Sequence, residues 1–328
     1  MRAVYITRFG GFDDLEFCET PDPPPPQDTQ VLVRVKAAGL NRADLLQVRG
    51  NYPPPEGYSP NIPGLEFAGE IAAVGGGARS WNIGDCVFGI TSGEAQAEYL
   101  ITDSRLIVPV PVNLSFAEAA AVPEAFITAH DAIITQGDLK SGETLLVHAV
   151  GSGVGLAALQ LAKARGATVI GTSRTADKLE RCAAFGLDVA VATEGEPDFA
   201  KDVVEATAGR GVDLVLDLVG AAYFKQNLES LVPKGRLLLV GLTSGSKVEF
   251  DLGVALRKRL KIIGTMLRGR TIDEKEDATR KFVYDVLPLL RNGSVKPTVD
   301  RVFPAEEMRE AYSYLASNDS FGKVVLEF

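Results

Sequence analysis

The chain has 328 residues, 46% of them hydrophobic, and a formal net charge of −9, which together fit a folded protein of two ordinary domains. The acidic balance argues against a nucleic-acid partner, because binding to a phosphate backbone depends on clustered Lys and Arg. Apolar runs are far shorter than a membrane span, and three separated cysteines give no disulfide framework, so we expect a cytoplasmic protein without membrane contact.

Residues 1–124 are predicted to be rich in β-strand. Residues 31–39 and 66–75 alternate apolar and polar side chains, which is the pattern of a strand with one buried face. Most of the 18 prolines precede residue 124, in clusters such as 21–26 and 52–55. Because proline fixes φ and lacks a backbone N–H, these clusters indicate rigid loops between the strands.

Residues 125–267 differ in pattern, since short apolar runs alternate there with helical segments. That alternation is typical of a parallel sheet covered by helices on both faces. It predicts helices at 154–166 and 227–232 in a doubly wound α/β domain. The six predicted strands span residues 144–148, 167–172, 188–192, 213–219, 236–241 and 260–264.

The chain after residue 267 is predicted to form two helices and a terminal strand, over 274–290, around 309–315 and over 323–328. A strand as apolar as this one needs a sheet to join, and the amino-terminal β-rich part offers one. We therefore predict that a dinucleotide-binding domain, 125–267, is inserted into a discontinuous domain made of 1–124 and 268–328.

A glycine-rich turn follows the first predicted strand of the inserted domain and opens a helix. Gly153 and Gly155 carry no side chain that would keep a pyrophosphate from the backbone, and a helix that begins at Val154 offers free N–H groups. Together with Ser152, these residues are predicted to hold the phosphates of a dinucleotide. The strict G-x-G-x-x-G pattern is not met, because Val150 and Ser152 occupy its first two glycine positions.

The end of the second predicted strand indicates NADPH as the cofactor. An NAD-specific site usually places Asp or Glu there, where the acid binds the ribose 2′-OH and repels a 2′-phosphate. This chain has Ser173, Arg174 and Lys178 instead, whose donors and positive charges suit that phosphate. The alternative interpretation is an ordinary solvated loop, which the nearby Asp177 supports.

Ligands of open α/β sheets bind beyond the carboxyl ends of the strands. The residues that follow the fourth, fifth and sixth predicted strands should therefore border the cofactor. These predicted cofactor residues are Val219, Gly220, Gly241, Leu242, Met266, Leu267 and Arg268.

Five segments in a fixed order resemble one family along essentially the whole chain. They are GLNRADLLQVRGNYPPP at 39–55, PGLEFAG at 63–69, AAAVPEAFITA at 119–129, HAVGSGVG at 148–155 and GKVVLEF at 322–328. The chain resembles the quinone oxidoreductase branch of the medium-chain dehydrogenase/reductases, and within it the tumour-suppressor-inducible quinone oxidoreductase subgroup. The resemblance implies a GroES-like, β-rich catalytic domain with an inserted Rossmann domain that binds the cofactor.

The resemblance also implies that no catalytic zinc is present. Zinc-dependent relatives supply three ligands at positions that match Asn41, Leu65 and Glu124. Leu65 cannot bind zinc and Asn41 is a poor ligand, so the three protein ligands of a catalytic zinc are missing. The two histidines, His130 and His148, are predicted to serve packing or backbone hydrogen bonds.

Without zinc, hydrogen-bond donors must stabilise the negative charge that develops on a carbonyl oxygen when hydride arrives. Tyr52 and Asn41 are the candidate catalytic donors, predicted to lie near the nicotinamide as the subgroup's matching tyrosine does. Thr128 matches a family position that faces the nicotinamide carboxamide. The alternatives are that Tyr52 packs on its neighbouring prolines and that Thr128 is a buried helix hydroxyl. Family members often carry a tyrosine after the third strand, whereas residues 191–199 contain none, which leaves the adenine contacts open.

The favoured function is a zinc-independent NADPH:quinone oxidoreductase. The same hydride geometry suits the reduction of α,β-unsaturated ketones, aldehydes or enoyl thioesters, and the sequence does not separate the two. A third interpretation is a non-catalytic NADPH-binding protein. The sixth predicted strand lies at a sheet edge, and such edges commonly pair across a twofold axis in this family, which predicts a homodimer.

Overall fold

The structure, a computed structural model, describes residues 1–194 and 198–328, and these residues divide into two units. Unit 1 contains Met1–Ile127 and Leu267–Phe328, and unit 2 contains Thr128–Met266. Unit 2 is therefore continuous in sequence, whereas unit 1 is assembled from two separate segments. Among the described residues, no helix is long and apolar enough to cross a bilayer.

Unit 1 is built mainly from strands, and unit 2 from alternating strands and helices. In chain order the strands are β1 (Arg2–Ile6), β2 (Leu15–Glu19), β3 (Gln30–Gly39), β4 (Glu66–Val74), β5 (Cys86–Ile90), β6 (Tyr99–Asp103), β7 (Ile107–Pro109), β8 (Thr144–Val147), β9 (Thr168–Ser173), β10 (Val189–Ala192), β11 (Val212–Asp217), β12 (Leu231–Leu239), β13 (Lys261–Gly264), β14 (Val299–Pro304) and β15 (Lys323–Glu327). The α-helices are α1 (Arg42–Val48), α2 (Phe116–Ala120), α3 (Pro123–His130), α4 (Gly153–Ala164), α5 (Ala176–Cys182), α6 (Phe199–Ala206), α7 (Phe224–Ser230), α8 (Leu252–Lys258), α9 (Ile272–Asp285), α10 (Leu287–Arg291) and α11 (Met308–Ser317).

The main sheet of unit 1 has the strand order β14-β15-β3-β4-β5-β7, with β6 also paired to β3. Strand β3 shows the predicted alternation, because Val31 and Val33 are buried while Arg34 faces solvent. The terminal strand β15 pairs antiparallel with β3, with Val325 opposite Gly39. The prediction that this strand joins the amino-terminal strands is confirmed.

The sheet of unit 2 has the strand order β10-β9-β8-β11-β12-β13, and every neighbouring pair is parallel. This is the order of a doubly wound Rossmann sheet, so the predicted fold class is confirmed. All residues of β11 are buried, as expected of a strand covered on both faces. The strand order reverses between β8 and β11, and ligands of such sheets bind outside the carboxyl ends at that point.

The predicted helix at 227–232 is wrong at its carboxyl end. Helix α7 stops at Ser230, and the buried Leu231 already belongs to β12. Pro233 follows, and Lys234 has a φ of +68°, which a right-handed helix does not contain. The side chain of Leu231 therefore packs in the sheet rather than on a helix.

The predicted helix at 274–290 is also different, since it is divided into α9 and α10. The break falls at Val286, and Pro288 lies in the first turn of α10. Proline lacks the N–H group that a continuous helix would use at that position, but it fits the beginning of a helix.

Candidate functional site

A buried ion pair between Lys323 and Glu66 lies at the centre of the candidate site in unit 1. Lys323 begins β15 and Glu66 begins β4, and the Lys323 Nζ and Glu66 Oε1 atoms are 2.5 Å apart. The ammonium group also donates to Asn41 Oδ1 at 2.7 Å and to the Leu40 carbonyl at 2.6 Å. All three ammonium hydrogens therefore have acceptors, as a residue that is only 5% exposed requires.

Asn41, one of the two predicted catalytic residues, is held by this ion pair. Its Nδ2 atom donates to Glu66 Oε1 at 2.9 Å and to the Gly39 carbonyl at 3.4 Å. Its backbone N–H donates to Asp44 Oδ2 in the cap of helix α1. Donation from Asn41 to a substrate would break one of these side-chain bonds, so its catalytic role stays a prediction that the contacts do not favour.

Glu124 provides a second carboxyl group beside the ion pair. Its backbone N–H donates to Glu66 Oε2 at 2.8 Å, so Glu66 accepts hydrogen bonds on both oxygens. Burial, followed by the negative charge of Glu66, raises the pKa of Glu124 to about 8, against the opposing effect of Lys323. The Glu124 carboxyl is therefore mostly protonated at neutral pH.

The three positions that match zinc ligands of relatives, Asn41, Leu65 and Glu124, do not fit a catalytic zinc ion. Leu65 offers only a buried alkyl side chain, and the Asn41 amide is bonded within the ion pair. A cation placed here would also be repelled by the Lys323 ammonium group. Within residues 1–194 and 198–328, no three His, Cys, Asp or Glu side chains are grouped so as to hold a metal ion. The donor set at this place suits a hydrogen-bond network better than a metal.

Tyr52 lies against the guanidinium group of Arg268. The guanidinium carbon is 4.9 Å from the centre of the phenol ring, and one nitrogen donates to the Tyr52 carbonyl at 2.8 Å. The other nitrogens donate to Gln47 Oε1 at 2.5 Å and to the Ser92 carbonyl at 2.8 Å. Arg268 is predicted to border the cofactor, but its guanidinium group fixes the Tyr52 loop, so the cofactor contact stays a prediction.

The hydroxyl group of Tyr52 is available as a donor. In the part of the chain that the structure describes it has no hydrogen-bond partner, and the residue is partly exposed. Burial raises the pKa of Tyr52 above its ordinary value, Arg268 opposes that change and Glu124 adds to it. The phenol is therefore protonated at neutral pH and can give its hydrogen to an oxygen that gains negative charge.

In unit 2 the glycine-rich turn leads into helix α4, which begins at Gly153. Ser152 caps the helix, because its Oγ atom accepts the Gly155 N–H at 3.1 Å. The N–H groups of Gly153 and Val154 have no protein acceptor among the described residues. They can therefore bind a phosphate group. A Cβ atom on Gly155 would lie 2.5 Å from the Ala149 carbonyl oxygen, and the predicted approach of a phosphate to this glycine stays a prediction. The turn itself requires this glycine.

The residues predicted to recognise the 2′-phosphate lie at the end of β9 and in the first turn of α5. Ser173 is the buried last residue of β9, and its Oγ atom accepts the Thr175 N–H at 3.3 Å. Arg174 is exposed, and Lys178 is partly exposed. The segment 191–199 contains no tyrosine that could contact the adenine. Its residues 195–197 lie outside the described residues.

Val219, Gly220 and Gly241, which are also predicted to border the cofactor, lie in the tight turns that follow β11 and β12. The N–H groups of Val219 and Gly220 donate to Asp217 Oδ1 at 2.8 and 2.9 Å. Gly220 has a φ of +93°, which glycine adopts without strain. A Cβ atom on Gly241 would lie 2.7 Å from the Leu218 carbonyl oxygen, so this turn also excludes a side chain.

The remaining predicted cofactor residues differ in exposure. Leu242 and Met266 present about half of their surface to solvent, Leu267 is buried, and Thr128 in α3 is partly exposed. The structure brings Tyr52 and Arg268 together in unit 1. In unit 2 the predicted residues, apart from Thr128, lie at or beyond the carboxyl ends of the parallel strands.

The buried polar side chains that support these residues were not predicted from the sequence. Lys323 and Glu66 were not predicted, and neither were Asp217 and its partner Asn227. A signal existed, since Lys323 opens the apolar strand KVVLE and Asp217 ends the apolar strand VDLVLD. Ionisable residues in such positions are rarely fully buried unless they are paired. The side chain of His148, predicted to serve packing or backbone hydrogen bonds, packs against Phe199 and Tyr223, and its hydrogen bonds go to the side chains of Thr172 and Asn227 rather than to the backbone.

Comparisons of the sequence place this arrangement among known oxidoreductases. A model of the "Alcohol dehydrogenase GroES-like domain" matches residues 27–131, and a "Zinc-binding dehydrogenase" model matches residues 153–283. Mouse synaptic vesicle membrane protein VAT-1 homolog-like is 30% identical over 345 residues, which cover 100% of this chain and 81% of that protein. Human quinone oxidoreductase is 29% identical over 328 residues, which cover 99% of this chain and 97% of that protein.

Solved structures agree over the full length of the chain. A mycobacterial protein solved in complex with NADPH has a TM-score of 0.90 and 28% identity, with 100% of both chains covered. An NAD-dependent alcohol dehydrogenase has a TM-score of 0.88 and 33% identity, with 100% of both chains covered. The enoyl reductase JamJ has a TM-score of 0.88 and 26% identity, with 99% of this chain and 98% of that chain covered. The chain therefore belongs to the medium-chain dehydrogenase/reductase superfamily of nicotinamide-dependent oxidoreductases.

Proposed function

We propose that this protein is an NADPH-dependent reductase that delivers hydride to a quinone without a metal ion. The observation that carries the proposal is the Tyr52 hydroxyl, which has no protein partner among the described residues and lies in a loop fixed by Arg268. The similarity to human quinone oxidoreductase supports the choice of acceptor. The unsuitable donor set around Leu65 supports chemistry without zinc.

The residues of unit 2 fit a phosphorylated dinucleotide. The N–H groups of Gly153 and Val154 point from a helix amino terminus and suit a diphosphate, while Arg174 and Lys178 suit a third phosphate. When bound, the reduced nicotinamide would supply the hydride. Tyr52 would then donate its phenolic hydrogen to the acceptor oxygen on which negative charge develops.

Reduction of a carbon–carbon double bond conjugated to a carbonyl group is the second candidate. The likeness to the enoyl reductase JamJ favours it, and the same phenol would serve the enolate oxygen. A non-catalytic NADPH-binding protein is the third candidate.

Initial rates of NADPH oxidation distinguish the three candidates. The acceptors are an ortho-quinone, a para-quinone, an enone, an enal and an enoyl thioester, each assayed with and without EDTA. We expect the highest kcat/KM with a quinone and no effect of the chelator. A highest value with an enone or enoyl thioester would establish the second candidate instead. Binding of NADPH without any acceptor-dependent oxidation would establish the third.

We predict that NADPH binds more tightly than NADH by at least about tenfold, or roughly 1.4 kcal/mol. The reason is that Arg174 and Lys178 can pair with a 2′-phosphate, and no acid follows β9 directly. Titration of both cofactors by fluorescence measures the two dissociation constants. The double variant Arg174→Ala/Lys178→Ala should bind both cofactors about equally.

Arg181→Ala is the matched control, because it removes a positive charge from the other end of the same helix α5. It should keep the preference for NADPH. Equal affinities in the wild-type protein, or a preference that survives the double substitution, would rule out this assignment of the phosphate site.

We also predict a homodimer formed through the exposed edge strand β13. This strand pairs only with β12 in the described sheet, and Ile262 on it is 39% exposed. Leu256 on the neighbouring helix α8 is 78% exposed, so apolar surface lies beside the unpaired backbone groups of β13.

Light scattering should give a mass near twice the 35.0 kDa of the chain. Ile262→Lys should shift it toward the monomer, while Ile83→Lys, at a still more exposed isoleucine of unit 1 (69%), should not. A monomeric wild-type protein at micromolar concentration would contradict the prediction.

A further inference from the structure

Four buried polar side chains form a continuous chain of hydrogen bonds across the carboxyl ends of three strands in unit 2. Thr172 Oγ1 lies 2.9 Å from His148 Nδ1, and His148 Nε2 lies 2.6 Å from Asn227 Oδ1. Asn227 Nδ2 donates to Asp217 Oδ2 at 3.0 Å. Each of the four residues is at most 1% exposed. We call this set the polar chain.

The bond between Asn227 and Asp217 assigns the hydrogens that the four side chains of the polar chain share. Because Asn227 Nδ2 donates to Asp217, its Oδ1 atom faces His148 as an acceptor, and the hydrogen of the imidazole ring lies on Nε2. Nδ1 then accepts from the Thr172 hydroxyl. Burial lowers the pKa of His148 to about 4, so the ring is neutral at neutral pH. The donors and acceptors between the four side chains therefore match.

Asp217 connects the polar chain to the backbone of two turns. Its Oδ1 atom accepts the N–H groups of Val219 and Gly220 at 2.8 and 2.9 Å. Its own carbonyl oxygen accepts the N–H groups of Val240 and Gly241 at 2.9 and 3.1 Å. One buried residue thus holds the turns that follow β11 and β12.

The opposite end of the polar chain reaches the other two turns of the same sheet edge. Thr172 directly precedes Ser173 and Arg174, and its carbonyl accepts the Val150 N–H at 3.0 Å. His148 directly precedes the glycine-rich turn. Its ring is enclosed by Phe199 and Tyr223, whose centres are each 4.8 Å away, so the ring has little freedom to turn.

We propose that the polar chain is a positioning device that sets the geometry of all four turns around the cofactor, with Asn227 as its central positioning residue. The proposal rests on the proposed function, because it takes these turns to be the cofactor site. Asn227 lies in α7, outside the turns, and acts through His148 and Asp217. Its loss would leave the buried Asp217 Oδ2 atom and the buried His148 Nε2–H group without their partner, and the turns would relax to satisfy them.

The first test compares Asn227→Leu with Ser230→Ala. Ser230 is buried in the same helix, but among the described residues its hydroxyl bonds only the carbonyl of Gln226, so it serves as the matched control. Asn227→Leu should weaken NADPH binding about tenfold and raise KM for NADPH far more than it lowers kcat. Ser230→Ala should change neither value more than about twofold. Full NADPH affinity in folded Asn227→Leu protein would overturn the proposal.

The second test uses a conservative variant of the histidine. The side-chain amide of His148→Gln can still donate to Asn227 Oδ1, whereas His148→Leu cannot. We expect the glutamine variant to bind NADPH within about threefold of the wild-type protein, and the leucine variant to resemble Asn227→Leu. Equal losses in both variants would indicate packing alone and would contradict the proposal. If Asn227→Leu does not fold, Asp217→Asn tests the same hydrogen bond between residues 217 and 227. It places a second amide NH₂ group opposite Asn227 Nδ2 with little change in side-chain size.

A third readout does not depend on the cofactor. Hydrogen exchange of the Val219 and Gly220 amides in the protein without cofactor should be about tenfold faster in Asn227→Leu than in Ser230→Ala. Unchanged exchange would overturn the positioning role. If exchange rises but the wild-type protein binds neither NADPH nor NADH, the proposed function fails while the polar chain still positions the turns.

Discussion

Replacing Tyr52 with phenylalanine is expected to lower kcat/KM for enones by about 10- to 100-fold, or roughly 1.4 to 2.8 kcal/mol of transition-state stabilisation. The phenol has no protein partner among the described residues, so its hydrogen is free for the acceptor oxygen. The contact with Arg268 and the neighbouring prolines hold the ring in place, which reduces the entropy lost in the reaction. Strongly electrophilic ortho-quinones need less assistance, so their loss should be smaller.

Steady-state kinetics with both acceptor classes measure this effect, alongside NADPH affinity and thermal stability, which should change little. Tyr58→Phe is the matched control, because Tyr58 is a partly exposed tyrosine of the same proline-rich segment. It should keep the wild-type kcat/KM. If Tyr52→Phe also keeps the wild-type value with both classes, the phenol only packs in its loop, and water or Asn41 must supply the proton.

Lys323→Met should lower the free energy of unfolding by about 3 to 5 kcal/mol, the largest effect on stability that we expect. The substitution leaves the fully buried Glu66 carboxylate without its counterion and removes the donor to Asn41. Urea denaturation followed by circular dichroism measures the change. Adding Glu66→Gln to the variant should recover part of the loss, since the second substitution removes the unpaired charge.

Lys36→Met provides the surface control for this experiment. Lys36 is 3.7 Å from Glu70, and both side chains are about 30% exposed. Removing such a pair should cost at most about 1 kcal/mol. A Lys323→Met protein as stable as Lys36→Met would show that the buried ion pair contributes little to unit 1.

The sequence predicted the strands of unit 2 because their signal is local. Strands of a parallel sheet with two covered faces are mostly apolar, and four of the six residues of β11 are Val or Leu. The tight turns were also predictable from their glycines, because a turn with a left-handed φ, as at Gly220, favours that residue. Helix ends were predicted less well, because Leu231 is equally suited to a helix or a strand until its neighbour in the sheet is known.

The polar contacts of the candidate site were not predictable in this way. Lys323 meets Leu40 across 283 residues of sequence, because the pairing of β15 with β3 brings them together. No periodicity of either segment contains that information. Arg268 shows the same limit, since its position after β13 indicates a ligand, whereas its guanidinium group binds Gln47, Tyr52 and Ser92. Tyr52 was predictable only from its proline-rich loop together with the family resemblance.

The division of unit 1 into two segments also has a consequence for the order of folding. Unit 2 is one continuous segment, so all of its strands are available before the ribosome has made β15. Unit 1 is incomplete until Lys323 is made, because the Glu66 carboxylate has no counterion and residues 37–39 of β3 lack the strand that pairs with them. Domains that emerge first generally fold first. We therefore expect the nascent chain to pass through a state in which unit 2 is complete while the Glu66 carboxylate of unit 1 still lacks its counterion.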